Sequence, residues 1–351
     1  MKRIILRLFL GLLMVSGLAA TGLAFGADRH TAGKIVVANR ISGTLSIIAA
    51  DTDQVIETIE LPADNNPPEP MYVVYVSQYH RIFVGDRANQ RIVVFDADDL
   101  SPIDTVPAGQ GVWHMWAHHW GKQLWVTNDI DNTATVINTK TLRVITTVPM
   151  PADLVAQGGK PHDVILDHAA AYITMVNVSG ANDYVVKFDR TTFLEVARAA
   201  VGKDPHVTLT RKNDQLYVAS QNSHIVQVLN RRDLTEITSI TVPGAHGVWI
   251  TPSGTTLYVT NLPGGGTDGL FTIDLATYTV IGDAVDTTFP VPHNLVATGD
   301  GRKLYMTHSG ATANQVTVYT IDKRAPVPVP LGAITVELNP FGLAFVPDVH
   351  R

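Results

Sequence analysis

The chain has 351 residues, of which 45% are hydrophobic, 17% charged and 7% aromatic, a composition typical of a globular protein. It contains no cysteine, which excludes disulfides, thiolate metal ligands and haem attachment through a Cys-x-x-Cys-His motif. The formal net charge is −6 and the sequence lacks basic clusters, which argues against nucleic acid or anionic lipid as a partner.

The first predicted element is a secretory signal at residues 1–26. Lys2, Arg3 and Arg7 form a basic start, and an apolar run that ends in small residues follows. Its loss leaves 23 basic residues against 32 acidic ones, a net charge of −9 for residues 27–351. We expect a periplasmic or secreted protein without stable membrane insertion. An uncleaved anchor is the alternative, because the run nearly spans a bilayer.

Short runs rich in β-branched and aromatic residues recur after this segment, at intervals of 41–48 residues. Each is followed by a polar turn and further strand-like runs, and the last run of a unit begins at a Pro-rich step. Four short strands in a unit of this length is the period of a β-propeller blade. The recurring runs are IVVAN from Ile35, IFVGD from Ile82, LWVTN from Leu124, YITMV from Tyr172, LYVAS from Leu216, LYVTN from Leu257 and LYMTH from Leu304.

Seven such units predict an all-β fold, a seven-bladed propeller of four-stranded blades that fills residues 27–351 as one domain. The first unit lacks its leading strand, and the last is followed by an extra one, NPFGLAFVPD at 339–348. We expect this C-terminal strand to pair with the N-terminal blade and close the ring, which would hide an exposed sheet edge.

The runs LWVTN at 124–128 and LYVTN at 257–261 resemble the YVTN-repeat family of seven-bladed β-propellers. The resemblance covers nearly all of residues 27–351 and implies the fold. It implies no activity, because such propellers serve as scaffolds, enzymes and surface proteins. It also implies that the strand after the Pro-rich step is the innermost one, with its first residues at one mouth of the channel.

Histidine recurs at the start of these innermost strands, in PHDV at 161–164, PHVT at 205–208 and PHNL at 292–295. Rotation about the propeller axis makes equivalent positions neighbours, so these side chains should converge around one mouth. The alternative is a turn residue inherited by blade duplication, although the rest of the repeat has diverged. The predicted slots hold Met71, His114, His162, His206, His246, His293 and Phe341.

A ring of imidazoles predicts a transition-metal site. Copper is favoured, with iron and zinc as alternatives, because the slots hold neither cysteine nor carboxylate. Met71 either adds a thioether ligand or plugs the channel. His308, which replaces the usual Asn at a strand end, and His224, in a loop on the same side, are the candidate catalytic residues. The predicted metal ligands are His114, His162, His206, His246 and His293.

Two classes of function fit this pattern. The first is a metal-dependent oxidoreductase or lyase acting on a small molecule. Its His-lined channel is loosely similar to the metal propellers of nitrous oxide reductase and carotenoid-cleaving dioxygenases, and to streptogramin lyases. The second is a non-catalytic module that binds a peptide, a glycan or an exported protein partner. The glycine run at 264–266 lacks the Lys-Ser/Thr of a phosphate loop, so we expect a loop over the mouth.

Overall fold

The computed structural model describes residues 32–118, 121–210, 212–262 and 269–348. The predicted signal at 1–26 and the glycine run at 264–266 lie outside the described residues, so both stay predictions. Within the described ranges, no helix is long and apolar enough to cross a membrane.

The described residues form seven four-stranded antiparallel sheets, which are the blades of a propeller. This confirms the predicted all-β, seven-bladed fold. The strands of the first half are β1 Gly33–Asn39, β2 Thr44–Ala49, β3 Gln54–Glu60, β4 Pro70–Val76, β5 Arg81–Asp86, β6 Arg91–Asp96, β7 Pro102–Pro107, β8 Val112–Ala117, β9 Gln123–Asn128, β10 Thr133–Asn138, β11 Arg143–Pro149, β12 Lys160–Leu166, β13 Ala170–Val176, β14 Asp183–Asp189 and β15 Glu195–Val201.

The second half continues the same order and holds the remaining blades. Short helices connect some strands: α1 Ala152–Ala156 and the 3₁₀ turns Ser77–Tyr79 and Gln221–Ser223. The strands are β16 Pro205–Leu209, β17 Gln215–Ser220, β18 Ile225–Asn230, β19 Glu236–Thr241, β20 Ala245–Ile250, β21 Thr256–Asn261, β22 Leu270–Asp274, β23 Thr279–Val280, β24 Pro292–Ala297, β25 Lys303–His308, β26 Gln315–Asp322, β27 Ala325–Thr335 and β28 Pro340–Pro347.

The first blade combines the two ends of the described chain. Its strand order is β28-β1-β2-β3, and β28 pairs antiparallel with β1, for example through Ile35 and Phe345. The other blades take four consecutive strands each, beginning with β4, and the innermost strands contact their neighbours in a closed circle. The inner edge of β1 is therefore covered by the C-terminal strand.

Packing between blades explains why the YVTN-like strands are continuous apolar runs. Both faces of a blade lie against neighbouring blades, so both must be apolar. β25 is buried along nearly its whole length, whereas the outermost strand β3 is mostly exposed. Each described hydrophobic cluster joins neighbouring blades, as Leu45 and Val93 do between the first and second. Stability therefore depends on the complete ring.

A bulge near the start of most innermost strands decides which side chains face the channel. In the third blade the register changes between Val112 and Met115, so Trp113 and His114 together occupy the place of one residue. β16 lacks such a shift, and His206 pairs with Ala219. The equivalent bulge pairs are Met71–Tyr72, His162–Asp163, His246–Gly247, His293–Asn294 and Phe341–Gly342.

Threonine hydroxyls hold these bulges in place. The His114 N–H donates to Thr127 Oγ1 at 3.1 Å, and Thr127 Oγ1 donates to the His162 carbonyl of the next blade at 2.6 Å. Thr260 and Thr307 make the same two kinds of bond. His114 is thus the second residue of its bulge. The predicted alignment was wrong at this position, because Trp113 occupies the slot expected for His114.

Candidate functional site

The first residues of the bulges, together with His206 of the bulge-free β16, form a closed ring of side chains across one mouth of the channel, which we call the histidine ring. Met71, fully buried in an apolar cluster, fills the remaining slot as a hydrophobic plug. The structure therefore brings four predicted histidines together. The centroid distances are 5.2 Å for Trp113–His162, 4.9 Å for His162–His206, 3.7 Å for His206–His246, 4.8 Å for His246–His293, 4.3 Å for His293–Phe341 and 5.9 Å for Phe341–Trp113.

A buried carboxylate, Asp163, lies beside this ring. Asp163 Oδ1 is 3.5 Å from His162 Nδ1, and its Oδ2 is 3.3 Å from His206 Nδ1. One potential ligand atom from each of the three residues lies within 4.8 Å of the others. We call His162, Asp163 and His206 the Asp163 cluster. Asp163 is not among the predicted ligands, because it lies one position after the histidine slot, where PHDV alone carries an acid.

Several polar atoms of the Asp163 cluster are buried without a hydrogen-bond partner among the described residues. They are His162 Nδ1, Asp163 Oδ1 and His206 Nε2. An unpartnered buried polar atom costs about 1–3 kcal/mol, so such atoms are rare in folded proteins. Three of them in one cluster indicate a ligand-binding point.

The other histidines near the cluster use a ring nitrogen within the protein. His246 Nδ1 donates to Gln221 Oε1 at 2.8 Å, which leaves the lone pair of Nε2 available. His114 Nδ1 accepts the Val164 N–H at 3.1 Å, and His293 Nδ1 accepts the Asn294 amide at 2.8 Å. A neutral imidazole whose Nδ1 accepts carries its proton on Nε2. In this bonding pattern His246 can add a ligand atom, whereas His114 and His293 cannot.

The electrostatics favour the metal-binding protonation state for His162 and Asp163 but not for His206. Burial, followed by the charge of His206, lowers the pKa of His162 and of His293 to about 3. Burial alone would raise the pKa of Asp163, but His114, His206 and His162 outweigh it and hold that pKa well below its usual range. Burial alone would lower the pKa of His206, but the Asp163 charge outweighs it and raises that pKa. Asp163 and His162 are therefore in the protonation state in which such groups bind metals, whereas a bound metal would have to displace a proton from His206.

The two histidines predicted to be catalytic have partners outside the Asp163 cluster. His308 is fully buried at the end of β25, where Nδ1 donates to the Pro290 carbonyl at 3.1 Å and Nε2 lies 3.2 Å from Thr317 Oγ1. His224 is exposed after a 3₁₀ turn, and its Nδ1 accepts the Gly244 N–H at 2.9 Å. These contacts support the local backbone. A catalytic role for either residue stays a prediction.

A cavity of about 100 Å³ lies along the axis inside the histidine ring. It is lined largely by the second residues of the bulges, including Tyr72, His114 and Asp163, together with His206. Burial raises the pKa of Tyr72 far above its usual value, so its hydroxyl keeps its proton. The cavity therefore presents hydrogen-bond donors beside an anionic carboxylate, an arrangement suited to a polar group of a small ligand.

Comparison with known proteins agrees with the observed fold. A family model described as "Lactonase, 7-bladed beta-propeller" matches residues 28–251, which is more than half of the chain. No curated protein matches the chain. A solved structure of a Lactobacillus plantarum protein is similar, with a TM-score of 0.70 and 15% identity over 90% of this chain and 99% of that chain. A putative 6-phosphogluconolactonase from Bacteroides uniformis has a TM-score of 0.66 and 17% identity over 90% of this chain and 100% of that chain. Another from Bacteroides fragilis has a TM-score of 0.68 and 14% identity over 91% of this chain and 99% of that chain. At these identities the likeness concerns the fold alone.

Proposed function

Because this chain belongs to the seven-bladed β-propeller lactonase family, we propose that it is a hydrolase that opens a lactone, a cyclic ester, beside the histidine ring. Two similar solved structures are described as putative 6-phosphogluconolactonases, which supports the same reaction class. The observation that carries the proposal is the Asp163 cluster, a buried set of potential ligand atoms, three of which make no hydrogen bond within the described residues. The finer YVTN-repeat resemblance stays a prediction.

The Asp163 cluster suits a divalent transition metal. His162, Asp163 and His206 are the proposed ligands, and His246, whose ring lies 3.7 Å from that of His206, is the proposed fourth. Two imidazoles and a carboxylate are a ligand set of catalytic zinc and of non-haem iron. The sequence-based preference for copper assumed an all-nitrogen ring. With Asp163 included, the donor set favours zinc for hydrolysis, with iron as the second choice.

The proposed reaction consumes one water and one lactone and yields one hydroxy acid. A bound divalent ion would lower the pKa of a coordinated water and so supply hydroxide near neutral pH. In the net reaction the water oxygen would bond to the lactone carbonyl carbon, the ring C–O bond would break, and the proton lost by the water would pass to the leaving ring oxygen. His114 lines the cavity with its Nε2–H, and we assign it to hydrogen-bond the carbonyl oxygen as negative charge develops.

The test combines metal analysis with hydrolysis of dihydrocoumarin, an aromatic lactone. Purified protein should contain about one zinc or iron per chain, and dialysis against a chelator should abolish hydrolysis until metal is restored. Asp163→Asn should lose the metal and reduce kcat/KM at least about 100-fold, because even partners of metal ligands contribute 10–100-fold. Asp104→Asn, at an exposed position of β7, is the matched control and should retain both.

Each other outcome rejects part of the proposal. Metal and activity retained in folded Asp163→Asn would reject the Asp163 cluster as the site. Hydrolysis that survives chelation but needs Asp163 would reject the metal and assign Asp163 and His206 to general-base catalysis. Lactone binding without turnover would favour the non-catalytic binding module. Redox or lyase activity at copper, the reaction classes expected from sequence, would reject hydrolysis.

A further inference from the structure

The mouth that carries the histidine ring is closed by side chains. Above the ring, the Arg40 guanidinium lies 5.5 Å from the Phe341 ring and 5.9 Å from the Trp113 ring, and Arg87 lies 5.0 Å from Trp113. Arg40 is held in turn by Glu69 at 2.6 Å. Ring contacts run without a break around the mouth, so a substrate entering here would have to displace several packed side chains.

The opposite mouth is open. A cavity of about 610 Å³ lies where the innermost strands end, and it is within the range of about 300–1,000 Å³ typical of small-molecule sites. It shares Trp116, Ile165, Thr208 and Trp249 with the axial cavity of about 100 Å³. The two spaces are therefore adjacent, with these side chains between or beside them. Asp163 lines the axial cavity.

The lining of the open mouth combines aromatic and apolar side chains with polar ones, among them His118, Asp167, His168 and Arg231. Trp116 is 41% exposed, unusually high for an indole, and Tyr75, Ile165 and Trp249 lie around the same space. Arg231 also lines this cavity, and its guanidinium forms ion pairs with the carboxylates of Asp214 at 3.4 Å and of Asp167 at 3.7 Å. Planar rings stack on such indoles. A phosphate that moved on into the axial cavity would approach the Asp163 anion.

We infer that the substrate enters through this aromatic mouth, opposite the histidine ring, and that it is an uncharged lactone with an aromatic or apolar ring rather than a phosphorylated sugar lactone. That the ligand is a lactone rests on the proposed function. The entry route rests on the two adjacent cavities, and the uncharged, aromatic character rests on the indoles that line them and on the Asp163 carboxylate.

Single cysteines test the route, because the natural chain has none. Ala117→Cys lies in the open mouth, and Ala88→Cys lines the pocket outside the closed mouth. Each variant is labelled with a bulky polyethylene-glycol maleimide, and binding of chroman, the unreactive cyclic ether that resembles dihydrocoumarin, is measured by calorimetry. Labelled Ala117→Cys should lose at least tenfold in affinity relative to its unlabelled form, and labelled Ala88→Cys should stay within twofold. Leu209→Cys replaces Ala117→Cys if that variant does not fold.

Chroman binding is independent of catalysis, so the two proposals can fail separately. Chroman binding blocked at the open mouth, without dihydrocoumarin hydrolysis, would support this route and reject the proposed function. Undiminished binding in labelled Ala117→Cys, or loss in labelled Ala88→Cys, would overturn the route. Absence of chroman binding to the wild-type chain would overturn the inference that the substrate carries an aromatic ring. Hydrolysis of 6-phosphogluconolactone with kcat/KM equal to or above that for dihydrocoumarin would overturn the inference that the substrate is uncharged.

Discussion

Replacing Thr260 with Val should destabilise the propeller although the side chain keeps its shape. Thr260 is fully buried, and its Oγ1 accepts the Gly247 N–H at 2.8 Å and donates to the His293 carbonyl of the next blade at 2.8 Å. Valine would leave both buried backbone groups without a partner. At about 1–3 kcal/mol for each of the two groups, the expected loss in free energy of unfolding is about 2–6 kcal/mol.

Equilibrium unfolding in guanidinium chloride measures this loss. Thr105→Val, at an exposed position of β7, is the control and should lie within about 0.5 kcal/mol of the wild type. Thr127→Val and Thr307→Val should behave like Thr260→Val, because they make the same two kinds of bond. A loss below about 1 kcal/mol for all three variants would refute the role of these hydroxyls in joining the blades.

Three further predictions concern stability. Burial lowers the pKa of His308 to about 4, below about 6.5 in the unfolded chain. As pH falls below 6.5, His308 takes up a proton in the unfolded state but not in the folded state. The free energy of unfolding of the wild type should therefore fall relative to that of His308→Asn by about 2–3 kcal/mol at pH 4.5. A wild-type-to-variant difference in stability that is the same at pH 7.5 and pH 4.5 would contradict this. Gly247→Ala places a Cβ 1.8 Å from the His293 carbonyl oxygen and should lower the free energy of unfolding by at least about 1–3 kcal/mol. Gly310→Ala, whose added Cβ has its nearest contact at 3.4 Å, should lower it less. Equal losses of stability in the two variants would contradict this prediction. Deletion of residues 340–351 removes β28 and should abolish the cooperative melting transition, and unchanged melting would contradict the closure of the ring.

Sequence alone was sufficient for the architecture. Strand-like runs such as LWVTN and LYVTN recur with a blade-length period, and a closed propeller is the arrangement that buries both faces of every blade. The convergence of His162, His206, His246 and His293 was also predictable, because rotation about one axis places equivalent positions side by side. Both conclusions depend on repetition, which can be read directly from spacing along the chain.

The site itself depended on tertiary structure. A bulge adds one residue to a strand and changes which side chain faces the channel, and the spacing of Trp113 and His114 does not reveal it. For the same reason Asp163 was missed, although it lies within reach of both His162 and His206. Which mouth is open was equally hidden, because it depends on the packing of Trp113 and Phe341, side chains about 230 residues apart in sequence that meet only in the closed ring.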